Sequence, residues 1–147
     1  AAIFLALDDR GWDRKLTEAE MRAEVAKVAG PAADELIEVY RRRLAKADPA
    51  ELLIAALTAS NFWVRSILLA ERKAARGKAP VYMYNFAWET PIHGRRLKAS
   101  HSVDTPFVFD TVGAIGAATA GRLAAELAVT VSTTWANFAR TGVPAEG

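Results

Sequence analysis

The chain has 147 residues, 52% hydrophobic and 24% charged, a composition that excludes a disordered tail and favours one packed globular domain. Its 19 basic and 17 acidic residues are interspersed and leave a net charge of +2, which gives no electrostatic case for binding nucleic acid or an anionic membrane. The absence of cysteine excludes disulfides, a thiolate nucleophile and Cys-based metal sites.

Sequence features of export and membrane insertion are also missing. No apolar run reaches the roughly 20 residues that cross a bilayer. The first residues, AAIFLALDDR, lack the basic start of a signal peptide. Together with the lack of cysteine, these features favour a cytoplasmic protein without a membrane partner, but they leave the compartment open. Because the chain opens without Met on a short apolar run, we also expect it to be part of a longer polypeptide.

Capping signals predict helices along the first half of the chain. Thr17 and Glu20 form a capping box, in which the hydroxyl accepts from a helix amide and the carboxylate reaches back to the N-cap amide. Gly30-Pro31 ends that helix and starts a second one. The side chains expected to face inward from these two helices are Met21, Val25, Val28, Leu36, Ile37, Tyr40 and Leu44.

Two further helices are predicted before the middle of the chain. One begins at Asp48-Pro49, since aspartate caps a helix and proline tolerates the first helical position. The other covers residues 61–76 and stops at Gly77. The basic run Arg41, Arg42 and Arg43 has glutamates on the same helix, which indicates a solvated face and not a phosphate site.

The second half of the chain has a different character. Residues 79–86, APVYMYNF, are β-branched and aromatic on both faces, which predicts a strand buried in a covered sheet. A strand fragment is also expected at residues 2–7, and residues 87–111 are predicted to be loop. A helix over residues 118–140 should end at Gly142 and bury the stripe Leu123, Leu127, Val131, Trp135 and Phe138.

These elements leave two fold classes open. A sheet needs more strands than the chain supplies, so the protein is either mostly helical or part of a larger α/β domain. The tryptophans Trp63, Trp88 and Trp135 are expected to anchor the core in either case.

A candidate catalytic residue lies in KASHSVDTPFVFD, residues 98–110, where His101 follows the predicted strand and Asp104 comes three positions later. An imidazole can take a proton from a serine hydroxyl at neutral pH and return it to a leaving alcohol. Asp104 is as well suited to capping the turn before Pro106. A zinc site from His93, His101 and Asp104 lacks the usual short ligand spacing.

Residues 79–109, APVYMYNFAWETPIHGRRLKASHSVDTPFVF, resemble the catalytic-histidine region of the type-B carboxylesterases, the family of the para-nitrobenzyl esterases and cholinesterases. Two further segments resemble the same family: TTWANFARTGVP, residues 133–144, is similar to its late helix, and LLAERKAARGKAPVYMY, residues 68–84, is similar to the helix and turn that lead into its strand. The resemblance covers nearly the whole chain.

The resemblance implies fold class α/β, with residues 1–147 as the C-terminal part of an α/β-hydrolase catalytic domain. The fragment would be mostly helical with one or a few buried strands. Residues 12–78 would be a helical excursion, and residues 79–147 would carry the His-bearing strand, the loop and the late helix.

The resemblance also implies a reaction, the hydrolysis of carboxylic esters by a Ser-Glu/Asp-His triad. His101 would be the general base, and Asp104 would occupy the place of a nearby buried acid that is more often glutamate in the family. AAIFL would follow the triad acid, so Ile3 and Phe4 would line the acyl side of the substrate cleft. Trp88, directly after the predicted strand, would border the same cleft.

The sequence contains no G-x-S-x-G nucleophile motif, so this fragment alone should be inactive. The implied partners are a small-molecule ester and the remainder of the hydrolase domain, with no nucleic acid, metal or cofactor. The alternative is a self-contained helical interaction module in which the histidine is incidental. That alternative predicts a surface without an exposed apolar face.

Overall fold

The computed structural model describes residues 16–91, 98–114 and 121–144. The chain divides between Met83 and Tyr84 into two compact units. The strand fragment expected at residues 2–7, the candidate cleft residues Ile3 and Phe4, and His93 lie outside the described residues.

The first unit begins with two helices whose ends follow the sequence signals. Helix α1 (Glu18–Ala29) starts after Thr17, whose hydroxyl accepts from the Glu20 amide at 3.2 Å, while the Glu20 carboxylate accepts from the Thr17 amide at 2.9 Å. A 3₁₀ turn (Gly30–Ala32) then leads into helix α2 (Ala33–Arg43). The predicted capping box is therefore confirmed.

The third and fourth predicted helices are one continuous helix, Pro49–Ala75. Helix α3 (Pro49–Thr58) passes through a π-helical turn (Ala59–Trp63) into helix α4 (Val64–Ala75). The predicted N-cap is confirmed, because the Asp48 carboxylate accepts from a helix amide at 2.8 Å. The predicted break is wrong because the π turn carries the helix through the polar residues that interrupt the apolar pattern.

The same continuous helix corrects the expectation about membrane-spanning length. By length and composition alone, its 27 residues are long and apolar enough to cross a bilayer. The sequence pattern predicted two shorter helices here, and so did not indicate a helix of this length. One such helix is weak evidence of membrane insertion, because helices from the core of a globular protein pass the same test.

A hydrophobic core joins α1, α2 and α3 in the first unit. Its buried members are Met21, Val25, Ala33, Ile37, Leu52, Leu53 and Ala56, and Leu36 and Tyr40 pack against them. Val28 and Leu44 were also expected to face inward, but they are exposed. Leu44 is the C-cap of α2, so its backbone has already left the helix and its side chain no longer follows the buried face.

Ion pairs link the polar faces of α1 and α2. The Arg41 guanidinium contacts the Glu18 carboxylate, and Arg22 Nη1 lies 2.5 Å from Asp34 Oδ1. The hydrogen bond from Arg41 is the main cause that lowers the pKa of the Glu18 carboxyl. The predicted solvated face is confirmed for Arg42 and Arg43, which are exposed, whereas Arg41 is partly buried in its pair with Glu18.

The second unit contains a short helix and a long one. Helix α5 (Thr105–Val108) lies within the predicted loop, and helix α6 (Gly121–Thr141) forms the late helix. Gly142 ends α6 as predicted, with a φ of 76° and an amide that donates to the Phe138 carbonyl at 2.8 Å.

The strand predicted at residues 79–86 is not formed, and no residue of the described ranges is in a β-strand. A strand needs a neighbour to pair its amides and carbonyls, and no neighbouring strand is available within this part of the chain. The side chains of Tyr82, Met83 and Tyr84 are exposed and not buried as expected. The mostly helical character of the described residues is confirmed.

The buried face of α6 differs from the predicted stripe. The buried side chains are Ala124 and Ala128, which form a cluster with Phe107 and Val112. The stripe residues Leu123, Trp135 and Phe138 are exposed by 65%, 42% and 44% respectively, and Leu127 and Val131 are partly buried. Small side chains let the helix approach Phe107 closely, which hydrophobicity alone does not reveal.

Two of the three tryptophans expected in the core are not core residues. Trp63 and Trp135 are exposed by 49% and 42%. Trp88 is half-buried and packs against the cluster around Phe107.

Candidate active site

His101 begins a turn of residues 101–104 that directly precedes α5, and its side chain is exposed. The Val103 amide donates to the Ser100 carbonyl and the Thr105 amide donates to the Ser102 carbonyl, both at 3.2 Å. A proton carrier has to be reached by the group with which it reacts. The exposed position of the imidazole meets that requirement, whereas a ring packed in an apolar interior would not.

The backbone of this turn is strained directly after the histidine. Ser102 has a φ of 66°, in the left-handed region that costs a residue other than glycine roughly 1–2 kcal/mol. Such a conformation persists only where the surrounding structure holds it. The contacts of the residues that follow Ser102 therefore bear on the conformation of this turn.

An aromatic cluster fixes the chain just after the turn. The Asp104 carbonyl accepts from the amides of Phe107 and Val108 at 2.9 and 3.0 Å, which starts α5. Phe107 is buried, with its ring centroid 5.0 Å from that of Phe86 and 5.8 Å from that of Trp88. These contacts anchor α5 against residues 84–91.

The side chain of Asp104 is held by a tyrosine. The Tyr84 hydroxyl donates to Asp104 Oδ2 at 3.4 Å. Asp104 is half-buried, and its carboxylate makes no capping hydrogen bond to α5, so the alternative of a helix-capping side chain is wrong. Partial desolvation of the hydroxyl by its neighbours, followed by the negative charge of Asp104, raises the pKa of Tyr84, which keeps the hydroxyl protonated as a donor.

The remaining predicted site residues have separate outcomes. Trp88 lies beside α5 through its contact with Phe107, and its role at a substrate cleft stays a prediction. Within residues 16–91, 98–114 and 121–144, no group of three His, Asp or Glu side chains could hold a metal ion. The zinc alternative also named His93, which lies outside those ranges.

Sequence reasoning missed Tyr84. It assigned this residue to a buried strand, whereas the hydroxyl contacts the segment that carries His101. A signal was present, since aromatic residues recur at Tyr84, Phe86 and Trp88, and alternate side chains of an extended chain share one side.

Comparisons with known proteins identify relatives for most of the chain. A sequence model described as the carboxylesterase family matches residues 7–147. The para-nitrobenzyl esterase of Bacillus subtilis (strain 168) is 31% identical over 117 residues, which cover 78% of this chain and 22% of the relative. The chain thus spans far less than the length of that relative. Membership of this family implies an α/β-hydrolase fold. Because the family match covers nearly the whole sequence, the chain belongs to the carboxylesterase family.

Proposed function

We propose that the chain is the C-terminal part of an enzyme that hydrolyses carboxylic esters, with His101 as the general base. The observation that carries the proposal is an exposed histidine in a turn before α5, within a chain matched by the carboxylesterase family over residues 7–147. Asp104 supports the turn that carries the ring. The substrate is a small-molecule ester.

The proposed reaction has two stages with one proton carrier. In the first, the His101 imidazole takes the proton of a serine hydroxyl while the serine oxygen attacks the ester carbonyl carbon. The tetrahedral intermediate collapses, the imidazolium gives its proton to the leaving alcohol, and an acyl-serine remains. In the second stage, His101 takes a proton from water as the water oxygen attacks the acyl carbonyl carbon, and the imidazolium then returns that proton to the departing serine oxygen, which releases the carboxylic acid and restores the serine.

The rest of the domain would supply the other groups that this reaction needs. These are the serine, the carboxylate that orients the imidazole, and the donors that stabilise the oxyanion. The steps consist of acyl and proton transfer, so they call for no metal or organic cofactor. We expect this chain by itself to show no appreciable turnover.

Exposed apolar side chains support the proposal that a larger domain covers this chain. The first unit exposes Phe62, Trp63, Val64, Ile67, Leu68 and Leu69 on the second half of its long helix, and the second unit exposes Tyr84, Phe109, Leu123, Trp135 and Phe138. Clusters of this kind mark surfaces that a partner covers. The alternative helical module predicts no exposed apolar face, and this observation disfavours it.

The covering surface is the remainder of the hydrolase domain in this proposal. Residues 79–86 would become a buried strand there, once neighbouring strands pair with their amides and carbonyls.

The test is His101→Ala in the full-length protein, with hydrolysis of a chromogenic ester as the measurement. Loss of the general base should lower kcat on the order of 10⁴- to 10⁶-fold. The matched control is His93→Ala, because the chain contains just these two histidines. A His101→Ala enzyme that keeps nearly full activity would remove this residue from the mechanism.

A further inference from the structure

Tyr84 connects the last helix of the second unit to the turn that carries His101. Its ring meets the Trp135 ring of α6 edge-on, with centroids 6.0 Å apart and an interplanar angle of 88°. Its hydroxyl donates to Asp104 Oδ2 at 3.4 Å. Phe86, two residues later, packs against Phe107 of α5. The Tyr84 ring therefore packs against Trp135, and its hydroxyl donates a hydrogen bond to Asp104.

We propose that Tyr84 is a positioning residue for ester hydrolysis, acting through Asp104 to hold the His101 turn. The inference rests on the proposed role of His101 as general base. Tyr84 itself touches neither substrate nor reacting atoms. It fixes the side chain that ends the turn, and the turn fixes the imidazole.

The strain in the turn is the first reason that such a hold is needed. His101 is followed by the left-handed Ser102, and that conformation relaxes unless the residues on either side are fixed. The aromatic cluster around Phe107 fixes the backbone after Asp104. The hydrogen bond from Tyr84 fixes the Asp104 side chain, which makes no capping bond to α5.

Charge is the second reason. A carboxylate in the same turn as an imidazole stabilises the imidazolium that forms during the reaction, and its position determines how strongly it does so. A neutral phenol donates a hydrogen bond to the Asp104 carboxylate and leaves its negative charge in place. An arginine or lysine donor would instead neutralise that charge. Among the described residues, the Tyr84 hydroxyl is the hydrogen-bond donor to that carboxylate.

The experiment uses Tyr84→Phe, Asp104→Asn and the double variant in the full-length esterase. Tyr84→Phe keeps the ring that packs on Trp135 and removes the hydroxyl alone. We expect kcat to fall roughly 3- to 10-fold with KM unchanged, as for the loss of one exposed hydrogen bond to a charged group. In the Asp104→Asn background, the same substitution should have a smaller effect on kcat, because the neutral amide oxygen of asparagine is a weaker acceptor than a carboxylate.

The controls separate this inference from the proposed function. Tyr40→Phe removes a hydroxyl from α2 in the first unit and should leave kcat and KM unchanged. If His101→Ala abolishes activity while Tyr84→Phe matches the wild type, the inference is wrong and the proposed function stands. If His101→Ala stays active, the proposed function is wrong.

Two further outcomes would also overturn the inference. One is an equal loss of kcat from Tyr84→Phe in the wild-type and Asp104→Asn backgrounds, because the hydroxyl would then act independently of Asp104. The other is an Asp104→Asn enzyme with wild-type kcat. Asp104→Asn keeps the shape of the side chain, so it tests the contact from its other end even if Tyr84→Phe lowers the melting temperature.

Discussion

The two units of the chain differ in how much of their packing each completes by itself. In the first unit, Met21 and Ile37 are almost fully buried by helices of the same unit. In the second unit, a small cluster surrounds Phe107 while Leu123 and Trp135 remain exposed. Local sequence signals are therefore most informative in the first unit, where each apolar helix face is covered by another helix of the same unit. They are less informative in the second unit, where apolar side chains remain without such a cover.

The largest expected effect tests whether the first unit is self-sufficient. Ile37→Ala removes a side chain that is 1% exposed and should lower the free energy of unfolding by about 2–5 kcal/mol, because it leaves a cavity. Thermal and urea unfolding followed by circular dichroism measures this. Val28→Ala is the control, since Val28 is 39% exposed on the same three-helix core and should cost much less. Equal losses of unfolding free energy from Ile37→Ala and Val28→Ala would contradict a core that buries Ile37 and leaves Val28 exposed.

A second substitution tests the exposed side of the long helix. Leu68→Asp should change the unfolding free energy of the 147-residue chain by no more than about 0.5 kcal/mol, because Leu68 is 43% exposed there. It should also reduce the binding of a hydrophobic dye. In the full-length protein the same change should cost about 2–4 kcal/mol, since a charge would replace a covered apolar group.

Arg72→Asp on the same helix is the control for the added carboxylate and should have little effect in either context. A Leu68→Asp full-length protein as stable as the wild type would show that no partner surface covers this part of α4.

The smallest expected effect concerns the ion pairs of the first unit. In the folded chain, the hydrogen bond from Arg41 holds the pKa of Glu18 below its ordinary value. In the unfolded chain, Glu18 has its ordinary pKa. The stability from this pair is therefore complete above the ordinary pKa and is lost as pH falls through the lower, folded-state pKa.

Glu18→Gln should accordingly flatten the acid side of a plot of melting temperature against pH. The effect should be small and weakened by salt, because the Glu18 side chain is 42% exposed. Glu35→Gln on the exposed side of α2 is the control. An unchanged acid limb in the Glu18→Gln chain would contradict the assignment.

Helix ends in the first unit could be predicted from the sequence because capping is local. Thr17 and Asp48 each bind an amide three residues away, so the sequence contains both partners within one turn. The strand predicted at residues 79–86 is not formed, since strand formation depends on pairing with another segment and not on local sequence alone. The buried face of α6 was predicted wrongly because the prediction selected large apolar side chains. The buried residues Ala124 and Ala128 have small side chains, which hydrophobic patterning did not select.

The candidate site likewise contains residues that the sequence identified and a contact that it did not. The resemblance to a family was sufficient to select His101 and Asp104, within a segment predicted to be loop. The contact between Tyr84 and Asp104 joins residues 20 positions apart, through a turn whose left-handed Ser102 no sequence rule specifies. Contacts of that kind depend on the folded path of the chain and not on any local pattern.

The π-helical turn Ala59–Trp63 has a consequence for the helix that contains it. Relative to an α-helix, a π turn inserts an extra residue, which rotates all later side chains by about 100° around the axis. Leu52 and Ala56 before the turn belong to the three-helix core, whereas Ile67 and Leu68 after it are exposed. One continuous helix therefore runs from a closed core to apolar side chains that the described residues leave exposed.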